Sequence, residues 1–161
     1  MGIFRAQSFL KTCLAASIPS MSPNRLHQAN AARASKVNLL PLPRQQVAAL
    51  SLRYHLYLET LRAGLGARHT VDTLAVMLLY AGGLHDLGHG KLQHVDVDAA
   101  QGIINDAYSK GKTTGVWKVG EDGFRLLAAI LCTHDRQLAK APIASVRKVD
   151  ANVLKVVPSW H

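Results

Sequence analysis

Histidine and aspartate residues that could hold a metal ion stand at four positions of the 161-residue chain. His85 and Asp86 form an adjacent pair, with His55 thirty residues before it. Asp150 follows Asp86 by sixty-four residues. Imidazole nitrogens and carboxylate oxygens together suit a range of divalent ions. A site that combined such side chains would be expected to take Mn, Fe, Co, Ni or Mg.

The spacing of apolar residues gives a second reason to expect a cation. Asp150 shares a helical stripe with Val146 and Val153, and a carboxylate that faces a core needs a partner because an unpaired buried charge is very costly. Asp86 lies late in an apolar helical run, where the helix dipole disfavours a negative charge. A divalent cation shared by the two carboxylates would offset both the burial of the Asp150 charge and the unfavourable helix dipole at Asp86.

Candidate catalytic roles follow from the chemistry that such an ion supplies. A bound divalent ion lowers the pKa of water and polarises a phosphoryl oxygen. His89 or His134 is then expected to act as a general acid on the leaving group, and Lys91 or Arg136 to offset phosphate charge. His134 also fits the polar end of a helix, a position that requires no catalytic role.

The same residues are compatible with a fold that holds no metal. Two glycines make residues 85–90 a natural helix stop, at which a surface His-Asp pair needs no ion. His55 has polar and apolar neighbours one turn away, as at a solvent boundary. Asp150 can instead pair with Arg147 or Lys148.

Apolar residues recur at helical spacing through most of the chain. Five helices are predicted, over residues 44–63, 69–81, 96–110, 121–138 and 142–157. The second is apolar on nearly every side and is expected at the centre, while Asp96 or Asp98 is expected to cap the third. No segment shows a sustained strand alternation. The predicted fold class is therefore all-α, a single compact bundle of about five helices.

Positive charge is concentrated ahead of these helices. Residues 1–58 carry seven basic side chains and no acidic ones, whereas residues 59–161 have a net charge of only +2. We predict a flexible basic leader over residues 1–43, with Met21 as a second plausible start, and a helical domain over residues 44–161. Because a domain that grips DNA concentrates basic residues on a folded face, nucleic acid is expected to bind only through the leader.

Composition excludes several classes of protein. Cys13 and Cys132 are too few for a disulfide framework or a thiolate zinc finger, and they fit a reducing compartment, so the cytoplasm is predicted. The longest apolar stretch, residues 73–84, has about twelve residues, whereas ~20 are needed to span a bilayer. No membrane partner is therefore predicted.

The string Ala81–Gly90, in which a His-Asp pair precedes Leu-Gly-His-Gly, resembles the central signature of the HD-domain metal-dependent phosphohydrolases. The resemblance implies a metal held by an early His, the His-Asp pair and a late Asp, which correspond here to His55, His85, Asp86 and Asp150. It implies that Asp86 also orients the attacking water. The implied substrate is a nucleotide or another phosphate ester.

A longer set of motifs is similar to short proteobacterial proteins of plasmids and integrated mobile elements that are loosely labelled Fis-like. The motifs are Ser51-Leu52 with His55-Leu56, Leu61-Arg62-Ala63-Gly64, Thr114-Gly115-Val116-Trp117, and His134-Asp135-Arg136-Gln137-Leu138 with Pro142. This resemblance implies a non-catalytic accessory or regulatory protein that works through a protein partner. The final predicted helix has only three basic residues, so a DNA-reading helix-turn-helix is not predicted.

Overall fold

The structure is a computed structural model that describes residues 31, 33 and 35–156. The chain divides into two units, residues 1–35 and residues 36–161. Most of the predicted leader, including Met21, lies outside the described residues. All of the elements described below belong to the second unit.

Among the described residues, five helices with complete bounds follow one another: α1 (Arg44–Arg62), α2 (Arg68–Asp86), α3 (His94–Thr114), α4 (Glu121–Lys140) and α5 (Ile143–Val156). Within the described residues, β pairing is limited to one isolated bridge between Pro41 and Pro142. The prediction of an all-α bundle is confirmed. No helix in the described part of the chain combines the length and the apolar character that a membrane crossing requires.

The second helix, α2, occupies the centre of the bundle, as its composition predicts. It packs against each of the other four helices. Leu74, Met77, Leu78 and Ala81 of α2 are all at most 1% exposed. Burial of a large apolar side chain contributes roughly 1.5–3 kcal/mol, so α2 is the element around which the other helices assemble.

The glycine pair in α2 does not end the helix, contrary to the predicted boundary at residue 81. Val149 of α5 packs so closely on α2 that a Cβ added to Gly83 would lie 2.8 Å from its Cγ1 atom. Glycine permits this approach of the two helices, and helical hydrogen bonding continues beyond it. As a result, His85 and Asp86 lie in the last turn of α2.

The third helix, α3, begins at His94, two residues before the predicted start. Its N-cap residue is Gln93, which makes no side-chain capping hydrogen bond. The prediction that Asp96 or Asp98 caps this helix is therefore wrong. Asp96 lies instead in the first helical turn, where a carboxylate still interacts favourably with the helix dipole.

Residues 36–43, the end of the predicted leader, belong to the helical unit. The Ile143 amide donates to the Leu40 carbonyl at 2.8 Å. The Arg147 guanidinium donates to Asn38 Oδ1 at 2.8 Å. These two bonds join the segment to α5, so this unit begins before α1.

Candidate metal centre

The end of α2 and the start of α3 bring two histidines and one aspartate together. His85 and Asp86 lie in the last turn of α2, and His94 is the first residue of α3. One ligand atom from each of the three side chains lies within 4.8 Å of the other two. The two imidazole rings are 5.2 Å apart between centroids, with their planes tilted by 68°. The three donors are close enough to share one cation.

The loop of residues 87–93 sets the separation of these ligands. Gly88 and Gly90 have φ angles of 83° and 78°, in the left-handed region that residues with a Cβ rarely adopt. Two left-handed residues within seven reverse the chain abruptly between the helices. Because of this reversal, the first turn of α3 returns beside the last turn of α2.

The backbone of this loop also orients the His85 ring. Nδ1 of His85 lies 3.2 Å from the Gly90 carbonyl oxygen, to which it donates in one ring tautomer. In the other tautomer it accepts from the Leu92 amide at 3.4 Å. When Nδ1–H donates to the carbonyl, the lone pair on Nε2 is left for a ligand. Metal-binding histidines commonly donate their other ring N–H to a backbone carbonyl in this way.

The group is open to solvent on one side. His85 is half-buried, whereas Asp86 and His94 are exposed. Asp86 stands at the C-terminal end of a 19-residue helix, where the helix dipole favours a cation and disfavours an unpaired carboxylate. Both the carboxylate and the end of α2 therefore favour positive charge at this position.

Two of the four predicted metal ligands, His55 and Asp150, lie outside the group of three. His55 of α1 contacts Asp135 of α4, with 3.0 Å between Nε2 and Oδ2. Asp150 of α5 accepts a hydrogen bond from the Tyr80 hydroxyl of α2. Both residues stay outside the group of three for the same physical reason, because each side chain already has a partner on the helix that it faces.

Tyr80 supplies the partner that the position of Asp150 requires. Burial raises the pKa of the Tyr80 hydroxyl, and the hydrogen bond to Asp150 raises it further. The phenol therefore stays protonated and donates. The half-buried carboxylate is satisfied by a neutral hydroxyl, and no ion is needed there.

The two predicted general acids, His89 and His134, also lie outside the group of three. His134 is 1% exposed and sits in the core, with its Nδ1 3.3 Å from Oε1 of Gln137. His89 Nε2 lies 2.9 Å from the Ser145 hydroxyl and joins the loop to α5. The hydrogen bond of His89 links the loop to α5, whereas that of His134 stays within α4 and its ring packs 5.9 Å from the ring of Tyr54 on α1.

Gln137 of α4, which the sequence does not single out as a functional residue, holds the backbone on both sides of the candidate ligands. Its side chain is 2% exposed. Nε2 donates to the Ala81 carbonyl at 3.0 Å and to the His89 carbonyl at 2.8 Å. One side chain thus fastens the last turns of α2 to the loop that follows, with His85 and Asp86 between the two attachment points.

Acidification is expected to destabilise the fold through His134. Burial lowers the pKa of His134 from its ordinary value of 6.5, although the hydrogen bond to Gln137 acts in the opposite direction. Stability is complete above 6.5 and declines below it, because the unfolded chain then takes up a proton that the folded chain does not. We expect the free energy of unfolding to fall by up to about 1.4 kcal/mol per pH unit through this residue.

Urea unfolding of the wild type and of His134→Gln at several pH values between 4.5 and 7.5 measures this effect. The neutral glutamine removes the titration, so the wild type should lose stability more steeply on acidification than the variant. Equal slopes for the two proteins would contradict the assignment.

His94 shows what the sequence pattern leaves undetermined. It follows His85 by nine residues across two glycines, a separation that a tight turn between helices can close. Because the third helix is predicted to start at residue 96, the sequence places His94 in a loop and does not determine where its side chain lies relative to His85. Its position beside His85 follows only once the helix is known to begin there.

Comparison with known proteins identifies no relative of this chain. Searches against protein-family models, curated proteins and solved structures each gave no match. The functional assignment therefore depends on the geometry and chemistry of the residues themselves.

Proposed function

We propose that the chain is a metal-dependent hydrolase of the HD type that cleaves a phosphate ester, with a divalent ion held by His85, Asp86 and His94. The observation that carries this proposal is the convergence of three ligand atoms within 4.8 Å. Catalytic metal sites typically use three protein ligands and leave a position for water or substrate. The proposed set departs from the family pattern, because His94 takes the place of His55 and Asp150.

The residues present indicate which ions fit and what the side chains do. Two imidazoles and one carboxylate favour Mn, Fe, Co or Ni over Mg, which prefers oxygen ligands. When bound, such an ion lowers the pKa of water and polarises a phosphoryl oxygen. Asp86 is exposed and has a second carboxylate oxygen that can accept the proton of the attacking water. The backbone at Gly90 and Leu92 contacts Nδ1 of His85 and orients its ring.

Metal addition to the purified, chelator-treated protein tests this proposal. Ni²⁺ or Mn²⁺ at about one hundred times its dissociation constant stabilises a single-site protein by about 2.7 kcal/mol. We expect a rise in Tm on the order of 5–10 °C and metal-dependent release of 4-nitrophenol from methyl 4-nitrophenyl phosphate. Ca²⁺ is the matched control, because it selects oxygen ligands and should give neither effect. Absence of both effects with every transition metal would overturn the proposal.

A non-catalytic accessory protein of a bacterial mobile element is the second candidate function. The observation that favours it is an exposed apolar pair on α1, where Leu52 and Leu56 lie one turn apart and are 61% and 55% exposed. Large exposed apolar side chains grouped together are typical of protein-binding surfaces. Under this proposal, the double change Leu52→Glu with Leu56→Glu abolishes binding to a partner from the bacterial cytoplasm, while Asp86→Ala leaves that binding unchanged.

A further inference from the structure

A cavity of about 390 Å³ adjoins the three candidate ligands. His85, Asp86 and His94 line part of it, and the rest of the lining comes from α2, α3, α5 and the start of the loop. Leu78 and Leu79 contribute apolar walls from α2. This volume lies within the range of roughly 300–1,000 Å³ that is typical of small-molecule sites. The cavity can therefore receive an organic group attached to an atom at the metal position.

The chemistry of the walls selects against highly charged ligands. Among the described residues that line the cavity, His85, Asp86 and His94 are the only titratable ones, and none is Lys or Arg. The other lining residue with a polar side chain is Asn152. A ligand with several phosphate charges finds no cationic side chain on these walls, and a charge placed against their apolar part, away from the solvent-open ligands, is costly. The walls suit a ligand with one negative charge and an apolar body.

The α5 side of the cavity is apolar as well. Val149, Val153 and Val156 line it from that helix. On the opposite side, Gly82 of α2 presents no side chain, and a Cβ added there would meet no atom within 4 Å. The space beside Gly82 is therefore open, and an alkyl chain placed along it would contact valine side chains.

We infer that the substrate is a phosphodiester with one extended alkyl ester group that lies in this cavity, an inference that rests on the proposed hydrolase function. The phosphate lies beside His85, Asp86 and His94, and the apolar group lies between α2 and α5. In the reaction, the oxygen of water bonds to phosphorus and the bond from phosphorus to one ester oxygen breaks. The leaving alcohol carries away one proton of the water, and the second proton stays on the new phosphate hydroxyl. A nucleotide, with its polar sugar and base, is a poor occupant.

Three diesters that share one leaving group test the inference on the metal-loaded protein: the 4-nitrophenyl esters of methyl phosphate, hexyl phosphate and thymidine 5′-phosphate. Each has a single negative charge and releases the same phenol. Burial of a methylene favours binding by roughly twofold to fourfold, so kcat/KM should rise at least tenfold from the methyl to the hexyl ester. The thymidine ester should be no better than the methyl ester.

A matched pair of glycine variants locates the effect in the cavity. Gly82→Leu fills the open space and should abolish the advantage of the hexyl ester, while metal affinity stays within about twofold. Gly102→Leu is the control, since Gly102 is also helical, lies in α3 away from the cavity and has nothing within 4 Å of an added Cβ. Leucine favours a helix over glycine by up to about 1 kcal/mol, so neither variant should unfold.

Calorimetry with two unreactive diesters separates this inference from the proposed function. Methyl hexyl phosphate should bind the protein at least tenfold more tightly than dimethyl phosphate, and Gly82→Leu should remove the difference. If this preference holds but no ester is hydrolysed, the cavity assignment stands and the hydrolase proposal fails. If hydrolysis occurs with equal kcat/KM for the methyl and hexyl esters, or with preference for the thymidine ester, the inference is overturned.

Discussion

Replacement of His85, Asp86 or His94 by alanine is expected to lower the affinity of the protein for Ni²⁺ or Mn²⁺ by at least about a hundredfold. Loss of partners that only orient metal ligands already costs 10-fold to 100-fold, so loss of a direct ligand should cost more. His55→Ala and Asp150→Asn are expected to change the affinity by less than about threefold. Metal titrations followed by calorimetry compare all five variants.

The contrast between the two sets is informative because the sequence and the structure favour different ligands. The family resemblance includes His55 and Asp150, whereas the geometry includes His94 and neither of those two. A large loss in Asp150→Asn together with a small loss in His94→Ala would favour the set predicted from sequence. Equal losses in all variants would show that folding, and not ligation, had been changed.

His69→Ala is the matched control for the histidine variants. His69 is exposed in the first turn of α2, and it contacts the ring of Tyr57. It lies outside the group of three ligands. Its replacement removes a surface imidazole from the same helix as His85. Metal affinity should be unchanged, which would exclude non-specific binding to surface histidines as the source of the signal.

The elements of the fold could be predicted from the sequence because apolar spacing records which face of each helix is buried. The composition of α2 correctly places it at the centre of the bundle. The stripe of α5 predicts that Asp150 faces the core and needs a partner, for which the sequence suggests a cation; in the structure Asp150 is half-buried and its partner is a hydroxyl. Periodicity, however, does not show which side chain lies opposite a residue on the neighbouring helix. Here Tyr80 of α2 lies opposite Asp150 and is its hydrogen-bond partner.

The ends of the helices, on which the candidate site depends, could not be read with the same accuracy. Gly83 looks like a helix stop in the sequence, yet α2 continues through it to Asp86, and the missing side chain lets Val149 of α5 pack against the helix. A tertiary contact here overrides local propensity. The motif alone predicts His85 and Asp86 as ligands, while His94 depends on a boundary that only the packed structure sets.

The second resemblance covers residues that hold the bundle together. Leu61, His134, Gln137 and Leu138, which belong to its motifs, are all at most 2% exposed. Their positions are explained by packing and buried hydrogen bonds. Such positions specify a fold without assigning a chemistry to it, so this pattern and the candidate metal centre can belong to the same chain.

Gln137→Met is expected to lower the free energy of unfolding by about 3 kcal/mol, because it removes a buried network while keeping side-chain length. The His89 carbonyl loses its hydrogen bond from Nε2, and Nδ1 of His134 loses its contact with Oε1. Each buried polar group left without a partner costs roughly 1–3 kcal/mol. The Ala81 carbonyl lies within α2 and keeps its helical hydrogen bond. Urea unfolding at pH 7.5 measures the change.

A second readout distinguishes a role in the metal centre from a role in stability alone. Because Gln137 fixes the backbone before and after His85 and Asp86, its loss should let the loop move and should weaken metal binding by roughly tenfold. Gln46→Met, at an exposed position of α1, is the matched control and should alter neither quantity. A loss of stability with unchanged metal affinity would show that Gln137 contributes to the stability of the core and not to metal binding. A loss of both stability and metal affinity would show that the buried side-chain amide of Gln137 positions the ligands at the end of α2.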